Sequence, residues 1–343
     1  MNKKIVVIGG GFAGSMVARK LVNKCDVTLI DTEDFFEYTP GILRVLVEPE
    51  KYHKLHARHT DYLSNARVIV SHVKSIGNKN VVLANGKKVV YDYLVIASGS
   101  NYATPIKEEN TFFANRIKNL LEANKKIKKA KKIFIVGGGI VGVELTAEIA
   151  THHKDKTISL IHSHSRLMER NNPKSSEYAQ KFLEKQGVKI IFNEKILKKE
   201  GKNLIGASGS KYPYDAVFFT VGITPNTDFM TGSLSKLVSK GIIVNEFLQL
   251  IDNSNIFVAG DVSNISEEKT AQNAEMHGKV VAKNILALIH GKPLKQYKSR
   301  KRVMVISLGK HSGIIECKRI VISGFLASLA KCFIEKKVMW GFR

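Results

Sequence analysis

Short apolar runs in this chain alternate with stretches in which apolar residues recur at helical spacing. The first run, residues 3–8 (KKIVVI), ends at glycines, which is typical of a strand buried in a parallel sheet. Ala13, Val17 and Leu21 then lie on one side of a predicted helix, and the run DVTLID that follows ends in Asp31. Strand, glycine turn, helix and strand in this order predict a βαβ unit.

The same pattern occurs a second time. KKIFIVGGGIVGVELTAEIA at 131–150 predicts another strand, glycine turn and helix, and TISLIHS predicts the strand after them. The apolar strand YDYLVIASGS, which follows the first unit, has a counterpart in YDAVFFTVGITPN, which follows the second. From Gly241 onward, GIIVNEFLQLIDNSNIFVAGDVSN returns to strands. This internal repeat predicts two copies of one nucleotide-binding fold, the second inserted in the first.

We therefore predict an α/β protein with two Rossmann-like dinucleotide-binding domains and a short C-terminal α+β extension. The first domain comprises residues 1–105 and 241–295, and the inserted domain comprises residues 106–240. The extension comprises residues 296–343 and is predicted to carry an acceptor site or a membrane or dimer contact.

The loop GGGFAG has the chemistry of a dinucleotide site. Gly9 permits a tight turn, Gly11 lets the backbone approach a pyrophosphate, and Gly14 lets the helix approach the strand. The start of the helix offers unpaired N–H groups to the phosphates. Asp31 ends the next strand, where a carboxylate hydrogen-bonds adenosine ribose hydroxyls. Loop, spacing and acid together predict that this unit binds a dinucleotide.

The second loop repeats the glycines as Gly137, Gly139 and Gly142, but no acid ends the strand that follows. His162 begins the segment HSHSR in that place. Without a carboxylate to repel a 2′-phosphate, NADPH is not excluded, and Arg166 and the histidines are candidates to contact it. The alternative is that these polar side chains are simply solvated.

The segment NIFVAGDVSN is a third signal, because its strand ends in Gly260 and Asp261. Asp261 could satisfy the backbone donors of a following helix as an ordinary cap. In a protein with two nucleotide domains, the same carboxylate could instead hydrogen-bond a ribityl or pyrophosphate group.

The net charge of +24 among 343 residues is unusual. Such a charge favours an anionic partner, either a membrane surface or nucleic acid. The alternative is a compositional bias toward lysine, since 43 lysines stand against 11 arginines. Acidic residues number only 30 against 54 basic ones, which lysine bias alone does not explain.

Cysteine use and the chain start indicate the compartment. Cys25, Cys317 and Cys332 have no metal-like spacing, which favours reduced thiols and no metal site. The start MNKKIVVIGG has no apolar segment of a secretory signal. We therefore expect a cytoplasmic protein, with peripheral contact at the inner face of the membrane as an option.

The motifs GGGFAG…LID, ASGS, GGGIVGVE, TVGITPN and AGDVSN, in this order, resemble those of the FAD-dependent pyridine-nucleotide oxidoreductases. The resemblance covers nearly the whole chain and implies that the first domain binds FAD. The implied FAD residues are Gly9, Gly10, Gly11, Phe12, Ala13, Gly14, Asp31, Arg44, Val73, Ser98, Gly99, Gly260 and Asp261. The implied NAD(P)H residues of the inserted domain are Gly137, Gly139, Gly142, His162 and Gly222.

The absence of a redox cysteine pair narrows the resemblance. FFEYTPGILRVLVEPE and GGGIVGVELTAEIA, where disulfide reductases of this superfamily carry their pair, contain no cysteine. Among cysteine-free branches the chain most resembles the ferroptosis suppressor proteins, which are similar to apoptosis-inducing factor, and then the type II NADH dehydrogenases. This implies two-electron transfer from NAD(P)H through FAD to a quinone. The implied catalytic residues are Glu144 near the nicotinamide–flavin contact, Lys298 on the acceptor side and Gln272 facing the flavin ring.

Other acceptors and partners stay open. A reductase for a ferredoxin or rubredoxin is one alternative, since a basic surface suits an acidic carrier. A protein that binds nucleic acid, as relatives of apoptosis-inducing factor do, is another, although no nucleic-acid module is evident. The tail residues 320–340 place an apolar face beside lysines, which indicates either a membrane-surface helix or packing on the FAD domain or a homodimer partner.

Overall fold

The computed structural model describes residues 2–101, 113–299 and 303–342. Within these ranges the chain forms two parallel sheets, each with helices on one face and a small antiparallel sheet on the other. A further antiparallel sheet and a long helix follow at the end of the described chain. This architecture confirms the predicted α/β class with two Rossmann-like units.

Residues 2–101 contribute the beginning of the first unit. Its helices are α1 Phe12–Leu21, α2 Ile42–Val45 and α3 His59–Tyr62, with 3-10 turns at Thr39–Gly41 and Pro49–Lys54. Its strands are β1 Lys4–Ile8, β2 Asp26–Asp31, β3 Phe35–Glu37, β4 His56–Arg58, β5 Arg67–Val70, β6 Val73–Ile76, β7 Asn80–Leu83, β8 Lys88–Val90, β9 Tyr93–Ile96 and β10 Ser100–Asn101.

Residues 113–237 form the second unit. Its helices are α4 Phe113–Lys129, α5 Ile140–His152 and α6 Pro173–Lys185, with a 3-10 helix at Gly232–Leu237. Its strands are β11 Lys132–Val136, β12 Thr157–Ile161, β13 Lys189–Ile191, β14 Ile196–Glu200, β15 Asn203–Gly206, β16 Lys211–Pro213, β17 Ala216–Phe219 and β18 Thr224–Pro225.

The remaining described chain returns to the first unit and then adds an extension. The returning elements are β19 Gln249–Leu250, β20 Asn253–Val258 and α7 Ala271–Ile289. The elements of the extension are β21 Val303–Ser307, β22 Gly313–Cys317, β23 Ile320–Ser323 and α8 Phe325–Trp340.

The six-stranded sheet of the first unit has the order β19-β20-β9-β1-β2-β5. β19 runs antiparallel to β20, and all other neighbours are parallel. Side chains alternate across a strand, so Ile5 and Val7 face α1 and α7, whereas Val6 and Ile8 face the small sheet β6-β7-β8. Both faces of β1 are therefore buried, which explains its uninterrupted apolar run.

The second unit repeats this layering around the parallel sheet β13-β12-β11-β17. Ile133 and Ile135 of β11 face the helices, whereas Phe134 and Val136 face the antiparallel sheet β14-β15-β16. β20, which follows this unit in the chain, pairs with β9 of the first sheet. The second unit is thus an insertion in the first. The predicted boundary at 105/106 lies outside the described residues, and the boundary positions stay predictions.

The extension consists of the antiparallel sheet β21-β22-β23 with α8 packed against it. Beyond α8, the ring of Phe342 stacks on Phe36 with centroids 3.9 Å apart. The guanidinium of Arg19 in α1 lies 4.7 Å from the centre of the same ring. The extension therefore contacts the first unit through its last described residue. Among the described helices, none combines the length and apolarity that crossing a bilayer requires.

Candidate functional site

The first glycine loop depends on contacts that only glycine permits. Gly9 follows β1 with φ +94°, and a Cβ there would lie 2.3 Å from the carbonyl oxygen of Ala97. A Cβ on Gly14 would lie 1.8 Å from the carbonyl oxygen of Gly9. These two glycines therefore allow α1 to begin directly above the end of β1.

Gly11 has the opposite surroundings. A Cβ added to it would have no heavy atom within 4 Å, and no side chain caps α1, whose N-cap residue is Gly11. The first N–H groups of a helix have no intrahelical acceptor, so those of Phe12 and Ala13 are available to an anion. This open, uncapped helix end fits the pyrophosphate of FAD.

Asp31 is held at the edge of the same loop. Its Oδ2 accepts a 2.7 Å hydrogen bond from the N–H of Gly10 and lies 3.1 Å from Nε2 of the fully buried His59. The carboxylate is thus fixed where this class of fold binds adenosine ribose. Val73 begins the strand beyond Ser71, whose N–H donates to the carbonyl oxygen of Asp31. Asp31 and Val73, both implied FAD residues, therefore lie close to each other in the fold.

The second glycine loop has the same construction. Gly137 has φ +114°, and a Cβ on Gly142 would lie 1.8 Å from the carbonyl oxygen of Gly137. Gly139 caps α5 without a side-chain hydrogen bond, and a Cβ on it would again meet no heavy atom within 4 Å. The second loop therefore fits the pyrophosphate of a nicotinamide nucleotide in the same way.

His162 takes the position that Asp31 has in the first unit. Its Nδ1 accepts a 3.0 Å hydrogen bond from the N–H of Gly138, as Asp31 accepts from Gly10. Gly222 lies in the exposed loop beyond β17, with φ +72°. Both lie beyond the carboxyl ends of parallel strands, the edge at which open α/β sheets bind ligands.

The ends of β9 and β20 meet at the edge of the first sheet. Ser98 and Gly99 follow β9, and Gly260 follows β20, the neighbouring parallel strand. The hydroxyl of Ser98 donates to the carbonyl oxygen of Asn226 in the second unit. The predicted FAD residues of these two strands are thus adjacent, close to the junction of the units.

Asp261 does not cap a helix. The next helix, α7, begins at Ala271 and is capped by the side chain of Thr270, so the cap interpretation is wrong. Instead, Oδ2 of Asp261 accepts a 2.8 Å hydrogen bond from the hydroxyl of Ser100. The carboxylate therefore stands between the two strand ends, where it can serve a ligand.

Arg44 is engaged with other parts of the protein. Its Nη2 lies 2.7 Å from Oε1 of Glu148 in α5 and donates at 2.7 Å to the carbonyl oxygen of Gly309 in the extension. It thereby joins the first unit, the inserted unit and the extension. The implied contact with the FAD pyrophosphate stays a prediction.

Glu144 is buried in the first turns of α5 and paired with the extension. Its Oε1 lies 2.6 Å from Nζ of Lys331 in α8 and accepts a 2.7 Å hydrogen bond from the N–H of Ser307. The side chains of Glu144 and Lys331 are only 8% and 16% exposed. Sequence interpretation treated Lys331 as a lysine flanking a surface face, and its carboxylate partner was missed.

Gln272 and Lys298 are both exposed and lie apart from this pair in the chain. Gln272 is the second residue of α7, and Lys298 follows Tyr297, whose hydroxyl donates to Glu267. Their catalytic roles stay predictions. The pair of Glu144 with Lys331 is a buried ionic contact that joins α5, the helix after the second glycine loop, to α8.

Two interlocked nucleotide-binding units, each with an open, uncapped glycine loop, define an oxidoreductase that uses FAD and a pyridine nucleotide. Residues 3–278 match the model of the pyridine nucleotide-disulphide oxidoreductase family, and the chain belongs to that family. The predicted enzyme class and the predicted cofactors, FAD and NAD(P)H, are thereby confirmed.

Relatives span almost the whole chain. Apoptosis-inducing factor homolog B of Dictyostelium discoideum is 31% identical, over 95% of this chain and 92% of its own length. Ferroptosis suppressor protein 1 of Taeniopygia guttata is 29% identical, over 96% of this chain and 92% of its own length. The NDH2 structure from Plasmodium falciparum in complex with NADH superposes with a TM-score of 0.85, covering 100% of this chain and 96% of that one, at 17% identity. The last likeness shows a shared fold.

Proposed function

We propose that the protein is an NAD(P)H:quinone oxidoreductase. FAD, when bound, would accept a hydride from the nicotinamide and pass the electron pair on to an acceptor. The protein's own contribution is to bind and orient: the uncapped end of α1 holds one pyrophosphate and that of α5 the other. Ferroptosis suppressor protein 1 and NDH2, the similar proteins, support this assignment.

The observation that carries the quinone proposal is the two-sided character of α8. One side places Lys331 against Glu144 of α5, the helix that follows the second glycine loop. The other side exposes large apolar side chains, with Phe333 and Trp340 67% and 80% exposed. An apolar acceptor that resides in a lipid layer matches such a face.

The ion pair gives the protein a means to handle protons. Reduction of a quinone to a quinol consumes two electrons and two protons, and a positioned ionisable group accelerates such transfer by roughly 10²–10⁴-fold. Lys331 Nζ donates to Glu144 Oε1 at 2.6 Å, so the two side chains are within reach of each other for proton transfer. We propose this pair, rather than Glu144 alone, as the proton-handling group.

The same face of α8 supports contact with an anionic membrane surface. The exposed apolar residues Phe325, Leu326, Leu329, Phe333, Ile334 and Trp340 lie on a helix that also carries exposed Lys336 and Lys337. An apolar face with flanking cations lies in the interface of a bilayer. The net charge of +24 adds a long-range attraction to anionic lipid. We propose peripheral attachment at the inner, cytoplasmic face of a membrane.

The test of the function is an anaerobic titration followed by turnover with two acceptors. The purified protein should be yellow, and NAD(P)H should bleach its flavin absorbance. Turnover with a short-chain quinone should exceed turnover with ferredoxin, the acceptor that the basic surface favours as an alternative. A protein that cannot be loaded with FAD, or that reduces ferredoxin alone, would contradict the proposal.

The proton role is tested by Glu144→Gln. Quinone turnover should fall roughly 10²-fold, while turnover with ferricyanide, which accepts electrons without protons, should change little. The ratio of the two rates in one sample cancels differences in folded fraction and flavin content. An unchanged ratio would leave Glu144 a structural residue.

A further inference from the structure

The segment after β12 folds back over the second glycine loop. The N–H of Met168 donates to the carbonyl oxygen of Gly138 at 2.8 Å, and Leu167 and Met168 are buried. Met168 has φ +47°, the left-handed region, which turns the chain sharply at this point. Glu169, the next residue, is therefore positioned beside the nucleotide loop although it lies seven places beyond His162.

The hydrogen bonds of His162 determine where its proton lies. Nδ1 accepts from the N–H of Gly138, so the neutral ring carries its proton on Nε2. Nε2 is 3.3 Å from Oε2 of Glu169, which can accept that proton's hydrogen bond. Each loop combines a backbone N–H, a carboxylate and a histidine. In the first loop the carboxylate of Asp31 lies between the backbone N–H and the histidine. In the second loop the histidine lies between the backbone N–H and the carboxylate, so the carboxylate is outermost.

This order leaves a negative charge at the place where adenosine ribose binds. Burial lowers the pKa of His162, and the donor at Nδ1 also opposes a second proton, so the ring is neutral. Burial by itself would raise the pKa of Glu169, but hydrogen bonds from the backbone and from His162, together with the nearby His164, bring that pKa below its usual range. The outermost group is thus an ionised carboxylate, one third exposed to solvent.

Arg166 donates to the carbonyl oxygens of Glu169 and Asn171, within its own loop, and these hydrogen bonds do not engage the Glu169 carboxylate. A bound metal does not fit, although ligand atoms of His162, His164 and Glu169 lie within 4.8 Å of one another. Coordination through Nε2 of His162 would place a proton on Nδ1, directly facing the N–H of Gly138.

We propose that Glu169, positioned by His162, replaces the acid that the second unit lacks at the end of β12, and that it selects NADH over NADPH. This rests on the proposed use of a nicotinamide nucleotide at the second loop. The carboxylate accepts hydrogen bonds from the ribose 2′- and 3′-hydroxyls, whereas it repels a 2′-phosphate. The sequence-based expectation left NADPH open, and this proposal selects NADH.

The test measures binding of two fragments that need neither flavin turnover nor an acceptor. Calorimetry should show that the unmodified protein binds ADP-ribose at least about tenfold more tightly than 2′-phospho-ADP-ribose, the discrimination that one like-charge contact can give. Glu169→Gln should reduce that ratio by about tenfold, because the amide keeps its shape and loses its charge. Glu177→Gln, an exposed glutamate of α6, is the matched control and should leave the ratio unchanged.

Equal binding of the two fragments by the unmodified protein would overturn the inference, and so would failure to bind either. A ratio that persists in Glu169→Gln would do the same. The proposed function is tested independently of this inference. A protein that prefers ADP-ribose but does not reduce quinone supports the inference and contradicts the function. A protein that reduces quinone equally well with NADH and NADPH supports the function and contradicts the inference.

Discussion

At the scale of single residues, the two nucleotide loops use glycine for two different reasons. Gly14 and Gly142 have no room for a Cβ, because a Cβ added to either would lie 1.8 Å from a carbonyl oxygen of its own loop. Gly11 and Gly139 have ample room, because nothing lies within 4 Å. The space in front of these latter glycines is what a pyrophosphate would occupy.

This difference predicts distinct outcomes for Gly139→Ala and Gly142→Ala. Gly142→Ala should lower the melting temperature, because α5 must move away from β11. Gly139→Ala should fold normally and bind flavin, but bind NADH more weakly by at least about tenfold, the loss expected from crowding one phosphate contact. Melting curves and NADH titrations check this. A Gly139→Ala protein with unaltered affinity would show that the nucleotide binds elsewhere.

Glu335 gives a prediction about pH. Burial raises the pKa of this half-buried carboxyl in α8, against the opposing attraction of Arg44 and Lys331. A carboxyl whose pKa is raised by folding stabilises the fold below its unfolded pKa, about 4.3, and this stability is lost as pH rises through the folded pKa. Glu335→Gln should therefore raise the melting temperature at pH 7.5 and have little effect near pH 4.

The matched control for that measurement is Glu177→Gln. The pKa of Glu177 is lowered by its hydrogen bond and ion pair with Lys181, so the sign of its contribution is opposite. No gain in melting temperature at pH 7.5 is expected from this variant. An equal gain from both variants would mean that general charge reduction, and not burial, stabilises the protein.

At the scale of elements, α8 is distinguished by the contrast between its two sides. Ala327 and Met339 are buried, while Phe325, Leu326 and Phe333 are more than half exposed. Helices of soluble proteins usually turn such side chains inward. An outward apolar row therefore calls for a partner, and lipid is the one that the surrounding lysines favour.

We expect Leu326→Ser with Phe333→Ser to abolish most vesicle binding. Each side chain contributes about 1.5–3 kcal/mol when it enters an apolar phase, so the pair should weaken partitioning into phosphatidylglycerol vesicles by more than about tenfold. Flotation assays measure this. Leu197→Ser removes a similarly exposed leucine from β14 and should have no effect. Retained flotation of the double variant would remove α8 from the membrane proposal.

The elements that sequence predicted well are those fixed by local chemistry. Each glycine loop follows an uninterrupted apolar strand and precedes a helix, and its geometry needs only residues a few places apart. Lys331 and Glu144 are 187 residues apart, and Arg44 and Glu148 are 104 apart. Such pairs depend on how separate elements pack, for which one sequence contains no periodic signal. For the same reason, the acid at Glu169 could be found only from the turn at Met168.

At the scale of the whole molecule, the extension is attached mainly to the inserted unit. Its Glu316 is buried and accepts hydrogen bonds from Asn171, the backbone of Asn172 and the hydroxyl of Ser175. The pair of Lys331 with Glu144 adds an ionic contact across the same interface. The extension and the inserted unit are therefore held together by buried polar groups, which are costly to leave unpaired.

A double-mutant cycle should show how strongly these parts are coupled. Lys331→Met leaves Glu144 as a buried, unpaired carboxylate and should cost about 3–5 kcal/mol of unfolding free energy. Adding Glu144→Gln should restore much of that loss, because the remaining amide carries no charge. Urea unfolding of the two single variants and the double variant measures the coupling. Additive losses would mean that the two side chains do not interact in solution.

The insertion of the second unit divides the strands of the first sheet between two parts of the chain, which has a consequence for biosynthesis. β20 and α7 are translated only after all of β11 to β17, yet β20 must pair with β9 and α7 must cover α1. On the ribosome, the inserted unit can complete its four-stranded sheet while the first unit still lacks two strands and a helix. The nascent first unit would meanwhile expose the edge of β9, an aggregation hazard that a chaperone could shield. The unit that begins first is thus the one that finishes folding later.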